Sequence, residues 1–182
     1  KVYPLPGTKI EVENIKSKLD SNDWRVQTFM GDDATESRVK QIESPRLLHI
    51  ATHGYFFEDI PDQKNDATQF MGIDKVQFIE NPMLRSGLIL TGANKTLEGE
   101  ELVGENGLLS SLEATLLNLD KTELVVLSAC ETGKGKVKNS EGVYGLQKAL
   151  FDAGAENVIM SLWKVNDQVT QEFMEIFYSK WL

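Results

Sequence analysis

Ile10, Val12, Ile15 and Leu19 recur at roughly helical spacing behind Thr8, which predicts a helix capped at Thr8 and ended by Ser21-Asn22-Asp23. Residues 24–30 read as a short strand. Asp33-Ala34-Thr35-Glu36 opens a second helical stretch that stops before Pro45, because the residue ahead of a proline is pushed out of helical conformation. Apolar runs at 46–52, 87–91, 124–129 and 157–163 read as strands, the third being the most strand-like in the chain. Helical spacing returns at 108–119, 142–153 and 167–181, with Gly154 ending the middle one. Residues 55–86 lack clear periodicity and carry Pro61, Gly72 and Pro82 among scattered acidic residues, so they read as a long insertion or functional loop, a candidate lid. Residues 92–107 are polar and turn-rich.

Strands alternating with helices imply βαβ units and a mainly parallel sheet covered on both faces, an α/β three-layer sandwich. Burial on both faces accounts for strands that are apolar throughout rather than at every second position. With 182 residues, a single domain spanning 1–182 around one core is expected. Ligands of such sheets bind beyond the carboxyl ends of the strands. His53 and Cys130 each stand where a predicted strand runs out, so one shared edge would bring them together.

Composition narrows the setting. Hydrophobic residues at 41% and charged residues at 26% suit a soluble, folded chain. A net charge of −9 with no basic stripe argues against a nucleic-acid partner. One cysteine excludes an internal disulfide framework, and no signal peptide or bilayer-spanning apolar run is present, which leads to the expectation of a cytoplasmic protein with no membrane partner.

In a reducing compartment a lone cysteine is either inert packing or a nucleophile. Cys130 follows the apolar run Leu124-Val125-Val126-Leu127 and precedes Glu131-Thr132-Gly133-Lys134-Gly135, a position from which a thiolate at a strand end reaches solvent. By itself this leaves packing the commoner fate of a free cysteine. Gly54 after His53 removes side-chain bulk and lets a main-chain N–H approach a ligand, as an oxyanion donor must; the alternative is a histidine that satisfies a loop carbonyl. His49 lies inside the strand and reads as packed structure. Two histidines four apart on a strand stand about 13 Å from one another at about 3.3 Å per residue, too far to share a metal, so no metal or other cofactor is expected. Lys134-Gly135-Lys136 lacks both the leading glycine and the following Ser or Thr of a phosphate loop.

Four ordered stretches then carry a family resemblance: Leu48-His49-Ile50-Ala51-Thr52-His53-Gly54, Asn81-Pro82-Met83-Leu84-Arg85-Ser86-Gly87-Leu88, Leu124 to Gly133 around Ser128-Ala129-Cys130-Glu131, and Val158 to Asp167 around Ser161-Leu162-Trp163-Lys164. Together with the opening Pro4-Leu5-Pro6-Gly7-Thr8 they resemble the CHAT domain over nearly the whole chain. That family is caspase-like, related to separase and often fused in bacteria to tetratricopeptide repeats. The resemblance implies a caspase-like fold and a cysteine endopeptidase acting on a specific protein substrate. His53 and Cys130 would form its dyad, the main-chain N–H groups of Gly54 and Cys130 its oxyanion hole, and no third catalytic residue is called for. It also implies control by an associated sensor or repeat domain, and, since the family usually continues past the last helix with another helix and a strand, a domain that runs on beyond Leu182.

The segment from Trp163 to Asp167 is similar to the separase stretch whose acidic residue receives a substrate arginine, which makes Asp167 a candidate for binding a basic P1 residue and Trp163 a candidate subsite wall. Asp167 is equally placed to cap the last helix, and Trp163 to join the core. Lys134, Lys136 and Lys138 lie where the clan carries an activation loop, or on a solvated loop. The alternative to peptidase activity is a catalytically silent domain of the same fold serving as a protein-interaction module.

Overall fold

The computed structural model describes residues 1–56, 69–70, 73–74, 81–100, 105–131, 141–161 and 167–182. Strands β1 (Leu47–Phe56), β4 (Ser86–Ile89), β5 (Leu108–Ser110), β6 (Leu124–Glu131) and β7 (Val158–Met160) form one sheet in the order β5-β4-β1-β6-β7, and β2 (Gln69–Phe70) pairs separately with β3 (Ile73–Asp74). β6 runs parallel to β1 and to β7, while β4 is antiparallel to β1 and to β5, so β4 alone opposes the other four strands of the sheet. The α-helices among the described residues are α1 (Pro6–Asp20), α2 (Glu36–Lys40), α3 (Ala93–Leu97), α4 (Ser111–Ala114), α5 (Glu141–Asp152) and α6 (Asp167–Trp181).

Strand periodicity divides the core in two. Leu48, Ile50, Val125, Leu127, Val158 and Met160 pack on one face with Leu146, Ala149 and Leu150 of α5. Leu47, Leu124, Val126 and Ile159 pack on the other with Ile15 and Leu19 of α1 and Met174 and Tyr178 of α6. Both faces of the central strands are therefore covered, the mainly parallel three-layer α/β sandwich expected from their unbroken apolar runs. Among the described residues no helix is long and apolar enough to cross a membrane.

Several local expectations are corrected. α1 begins at Pro6, behind Leu5, and Thr8 sits inside it with its hydroxyl donating to the Leu5 carbonyl at 2.8 Å. Its buried stripe is Glu11, Ile15 and Leu19, while Ile10 is exposed. Residues 24–30 form no strand: Trp24 leans on Trp181 with ring centroids 5.5 Å apart and carries the Arg46 guanidinium at 4.5 Å, so side-chain packing rather than a ladder holds this segment. The second helical stretch shrinks to α2, capped by Thr35. Residues 108–119 are not one helix, because Leu108–Ser110 pair with β4 before the chain turns. Ser110 and Glu113 then form a capping box that opens α4. β1 runs through Phe56, past the predicted stop, because residues 53–56 gain β4 as an antiparallel neighbour.

A charged cluster ties α2 to α4. Buried Glu36 accepts from the Gly107 N–H at 3.0 Å and pairs with Lys40, which also reaches Glu113 at 2.9 Å. Burial pushes the Glu113 carboxyl up, but hydrogen bonds from Lys40 and Ser110 outweigh it and hold it below the ordinary value. For Glu36 burial prevails over Lys40, and its carboxyl lies above the ordinary value. A carboxyl held low by the fold stabilises it above the unfolded pKa of about 4.3, and that stabilisation disappears as pH falls through the folded value. Glu113→Gln keeps the capping geometry and removes the charge. Because the Glu113 side chain is 34% exposed, the charge is worth less than about 1 kcal/mol. The variant should melt no more than about 2–4 °C below the parent at pH 7, with the gap closing below about pH 4. A gap unchanged between pH 7 and pH 3 in calorimetry would exclude this role.

Candidate active site

The site lies where β1 and β6 run side by side toward their carboxyl ends. Their register pairs Ala51 with Ser128, Thr52 with Ala129, His53 with Cys130 and Gly54 with Glu131. His53 and Cys130, 77 positions apart in the numbering, thus stand on adjacent strands at the sheet spacing of about 4.8 Å. On its other side β1 pairs His53 with Ile89 and Gly54 with Leu88. Two side-chain hydrogen bonds brace this end of the sheet: Thr52 Oγ1 donates to the Ile89 carbonyl at 2.5 Å, and Ser161 Oγ donates to the Ala129 carbonyl at 2.9 Å.

The two nitrogens of His53 are not equivalent. Nε2 lies 2.7 Å from the main-chain carbonyl of Tyr3. A carbonyl only accepts, so Nε2 carries a hydrogen and donates it. Nδ1 is buried and has no hydrogen-bond partner among the described residues. In the neutral ring Nδ1 is therefore the lone-pair nitrogen, a base with its proton-accepting atom uncommitted. An accepting carbonyl on Nε2 fixes the ring's orientation and tautomer, as an orienting third residue does for the base of a nucleophile–base pair. The alternative read from the sequence, a histidine that satisfies a loop carbonyl, is thus met at Nε2, although which carbonyl it meets leaves no mark in residue identity.

His49 has the opposite surroundings. Its Nε2 donates to buried Glu11 at 3.0 Å, and its Nδ1 lies 2.9 Å from the hydroxyl of fully buried Tyr178. Ser128 Oγ donates to the other Glu11 oxygen at 3.0 Å. Burial and the Glu11 carboxylate both push the Tyr178 hydroxyl far up, so it stays protonated and supplies the hydrogen to His49. The cluster joins α1, β1, β6 and α6 beneath the site, and the polar side-chain atoms of Glu11, His49, Ser128 and Tyr178 satisfy one another. His49 is the packed structural residue that its place inside the strand suggested. Glu11 was the overlooked member: it lies four before Ile15 and eight before Leu19, on the buried stripe of α1.

Gly54 is buried at this end of β1, where a Cβ would come within 3.0 Å of the Phe56 ring. Asp167 is the first residue of α6. The side chains of Cys130 and Asp167, the whole of Trp163, the lysines of the 134–138 loop and most of the candidate lid lie outside the described residues.

The sheet order, the two helical layers and the register of His53 with Cys130 define an α/β domain with a histidine and a cysteine on neighbouring parallel strands. A family model of the CHAT domain matches residues 1–182, and the chain belongs to that family. CHAT domains are caspase-like, which makes this chain a peptidase or a peptidase-like module. No curated protein and no solved structure matches it.

Proposed function

We propose that the chain is a cysteine endopeptidase in which Cys130 is the nucleophile and His53 the general base and acid. The observation that carries the reading is the register of His53 with Cys130, combined with an imidazole tied at Nε2 and, among the described residues, unpartnered at Nδ1. Register partners on parallel strands share a face of the sheet, within reach of proton exchange. Nδ1 of His53 takes the thiol proton as sulfur attacks the scissile carbonyl, and the imidazolium returns that proton to the leaving amine. Water then hydrolyses the acyl enzyme, with His53 again receiving a proton. The main-chain N–H groups of Gly54 and Cys130 serve as oxyanion donors, each worth roughly 10²–10³ in rate if lost. In this reading Asp167, at the start of α6, receives a basic P1 side chain and Trp163 walls the subsite, while an associated sensor or repeat domain controls the activity of a cytoplasmic enzyme.

The test is a cleavage profile on a peptide library with wild type, Cys130→Ala and Asp167→Ala. Wild type should cleave preferentially after Arg or Lys, Cys130→Ala should not cleave at all, and Asp167→Ala should lose the basic preference while retaining turnover. Cleavage by Cys130→Ala would sink the mechanism. A wild type that cleaves nothing, yet binds a protein partner as tightly as Cys130→Ala does, would replace peptidase activity by docking.

A further inference from the structure

The Tyr3 carbonyl reaches His53 only because something holds residues 2 and 3 against the sheet, and the side chain of Tyr3 does not: it is 72% exposed. The holding group is Asn94, the second residue of α3. Its Oδ1 accepts from the Val2 N–H at 2.7 Å and its Nδ2 donates to the Val2 carbonyl at 2.9 Å. A carboxamide offers one donor and one acceptor in a plane, as a peptide unit does, so Asn94 pairs with both main-chain groups of Val2 much as a neighbouring strand would. Val2 also packs on the cluster of Tyr55, Ile89, Ala93 and Leu108.

α3 in turn is rigidly seated. Ala93 is buried, and Gly107, at φ +75°, passes so close that a Cβ there would lie 2.3 Å from the Ala93 nitrogen. The Leu90 N–H donates to the Gly107 carbonyl at 2.7 Å, tying the start of α3 to the strand that follows. A continuous set of contacts therefore runs from the β4–β5 side of the sheet through Asn94 and Val2 to the Tyr3 carbonyl and His53 Nε2. Lys1 also meets Glu98, the residue that caps the end of α3, in an exposed pair 3.9 Å apart.

We propose that Asn94 is a positioning residue for His53: its two hydrogen bonds to Val2 set the Tyr3 carbonyl that holds the imidazole with hydrogen on Nε2 and the lone pair on Nδ1. The proposal deepens the peptidase reading, since it gives that reading's base its tautomer. Without the clamp residues 2 and 3 swing away, the hydrogen redistributes between the two nitrogens, and a fraction of molecules presents Nδ1–H, which is no base toward a thiol. One net hydrogen bond is worth about a fivefold to tenfold change in the ratio of the two tautomers, and a residue that does not touch substrate should pass the resulting loss of the base form to kcat and leave KM unchanged.

The experiment uses the whole chain with ¹⁵N-labelled histidine, comparing wild type, Asn94→Ala, Asn94→Asp and the control Glu98→Gln, which weakens only the Lys1 pair. Imidazole ¹⁵N spectra should show His53 with hydrogen on Nε2 in wild type and Glu98→Gln, and a tautomer mixture in both Asn94 variants, with the His49 signals unmoved. Alkylation of Cys130 by iodoacetamide across pH should slow near neutrality in the Asn94 variants, in proportion to the fraction of His53 that the spectra show with hydrogen on Nδ1. Asn94→Asp retains the acceptor for Val2 N–H and its size, so it tests the clamp even where Asn94→Ala folds poorly. Unchanged His53 spectra and alkylation profiles in the Asn94 variants would overturn the proposal. A changed tautomer in a protein that cleaves no peptide would leave the clamp standing and overturn the peptidase reading alone.

Discussion

Replacing Gly87 by alanine should leave little folded protein. Gly87 sits in the middle of β4, facing Tyr55 on one side and Ser110 on the other. A Cβ there would lie 2.2 Å from the Leu109 carbonyl oxygen, 2.7 Å from the Tyr55 hydroxyl and 2.8 Å from the Ser110 Cα. Two of these three atoms are main chain, so no rotamer change relieves the contact and β4 and β5 must part. Ordinary overpacking costs about 1–3 kcal/mol, where side chains can shift. A main-chain clash in the sheet should exceed that and consume much of a total stability of about 5–15 kcal/mol. Gly145→Ala is the contrasting substitution: its Cβ would meet the Ser86 hydroxyl at 3.1 Å, and alanine is the better residue inside a helix such as α5. Denaturant unfolding of both should show Gly145→Ala close to wild type and Gly87→Ala with no cooperative transition or a midpoint far lower. A Gly87→Ala protein that melts within a few degrees of wild type would mean that the sheet is looser at β4–β5 than these contacts require.

The two histidines of the chain should fail in opposite ways. His53→Ala removes the imidazole proposed as the base, at the sheet end, without opening the core. Peptide turnover should fall roughly 10²–10⁴-fold while the melting temperature stays near that of wild type. His49→Ala should do the reverse. It strands the buried Glu11 carboxylate and the Tyr178 hydroxyl, each of which loses a partner. The cost is about 1–3 kcal/mol for an unsatisfied buried group, and more where it is charged. The fraction that remains folded should turn over substrate normally. Thermal melts and initial rates on one peptide, measured side by side, decide the matter. Equal loss of activity in the two variants with equal loss of stability would deny His53 any special role.

The difference between these residues was visible in the sequence only as position: one histidine inside a predicted strand, the other at its end. The predicted end was itself placed too early. β1 continues to Phe56 because β4 joins it there, and no local pattern announces an antiparallel partner that lies 30–36 residues away. The same reason explains residues 108–110, whose apolar run read as the start of a helix. Their strand character comes from β4, although Ser110 and Glu113 already spelled the capping box that opens α4. Glu11 illustrates a different failure. A carboxylate on an apolar stripe is read as an exposed residue until His49 and Ser128, brought from two strands, are seen to satisfy it.

What the sequence by itself determined was the class of fold and the family that makes His53 and Cys130 the candidate pair. Apolar strands alternating with amphipathic helices admit few arrangements besides a covered, mainly parallel sheet. Four ordered motifs pointed to the CHAT family and, through it, to His53 and Cys130. Tertiary structure decided how the imidazole is held. The Tyr3 carbonyl and the Asn94 clamp join residues from three separate parts of the chain. Backbone groups are the same in every residue, so which carbonyl meets which nitrogen is written only in the packing that brings them together.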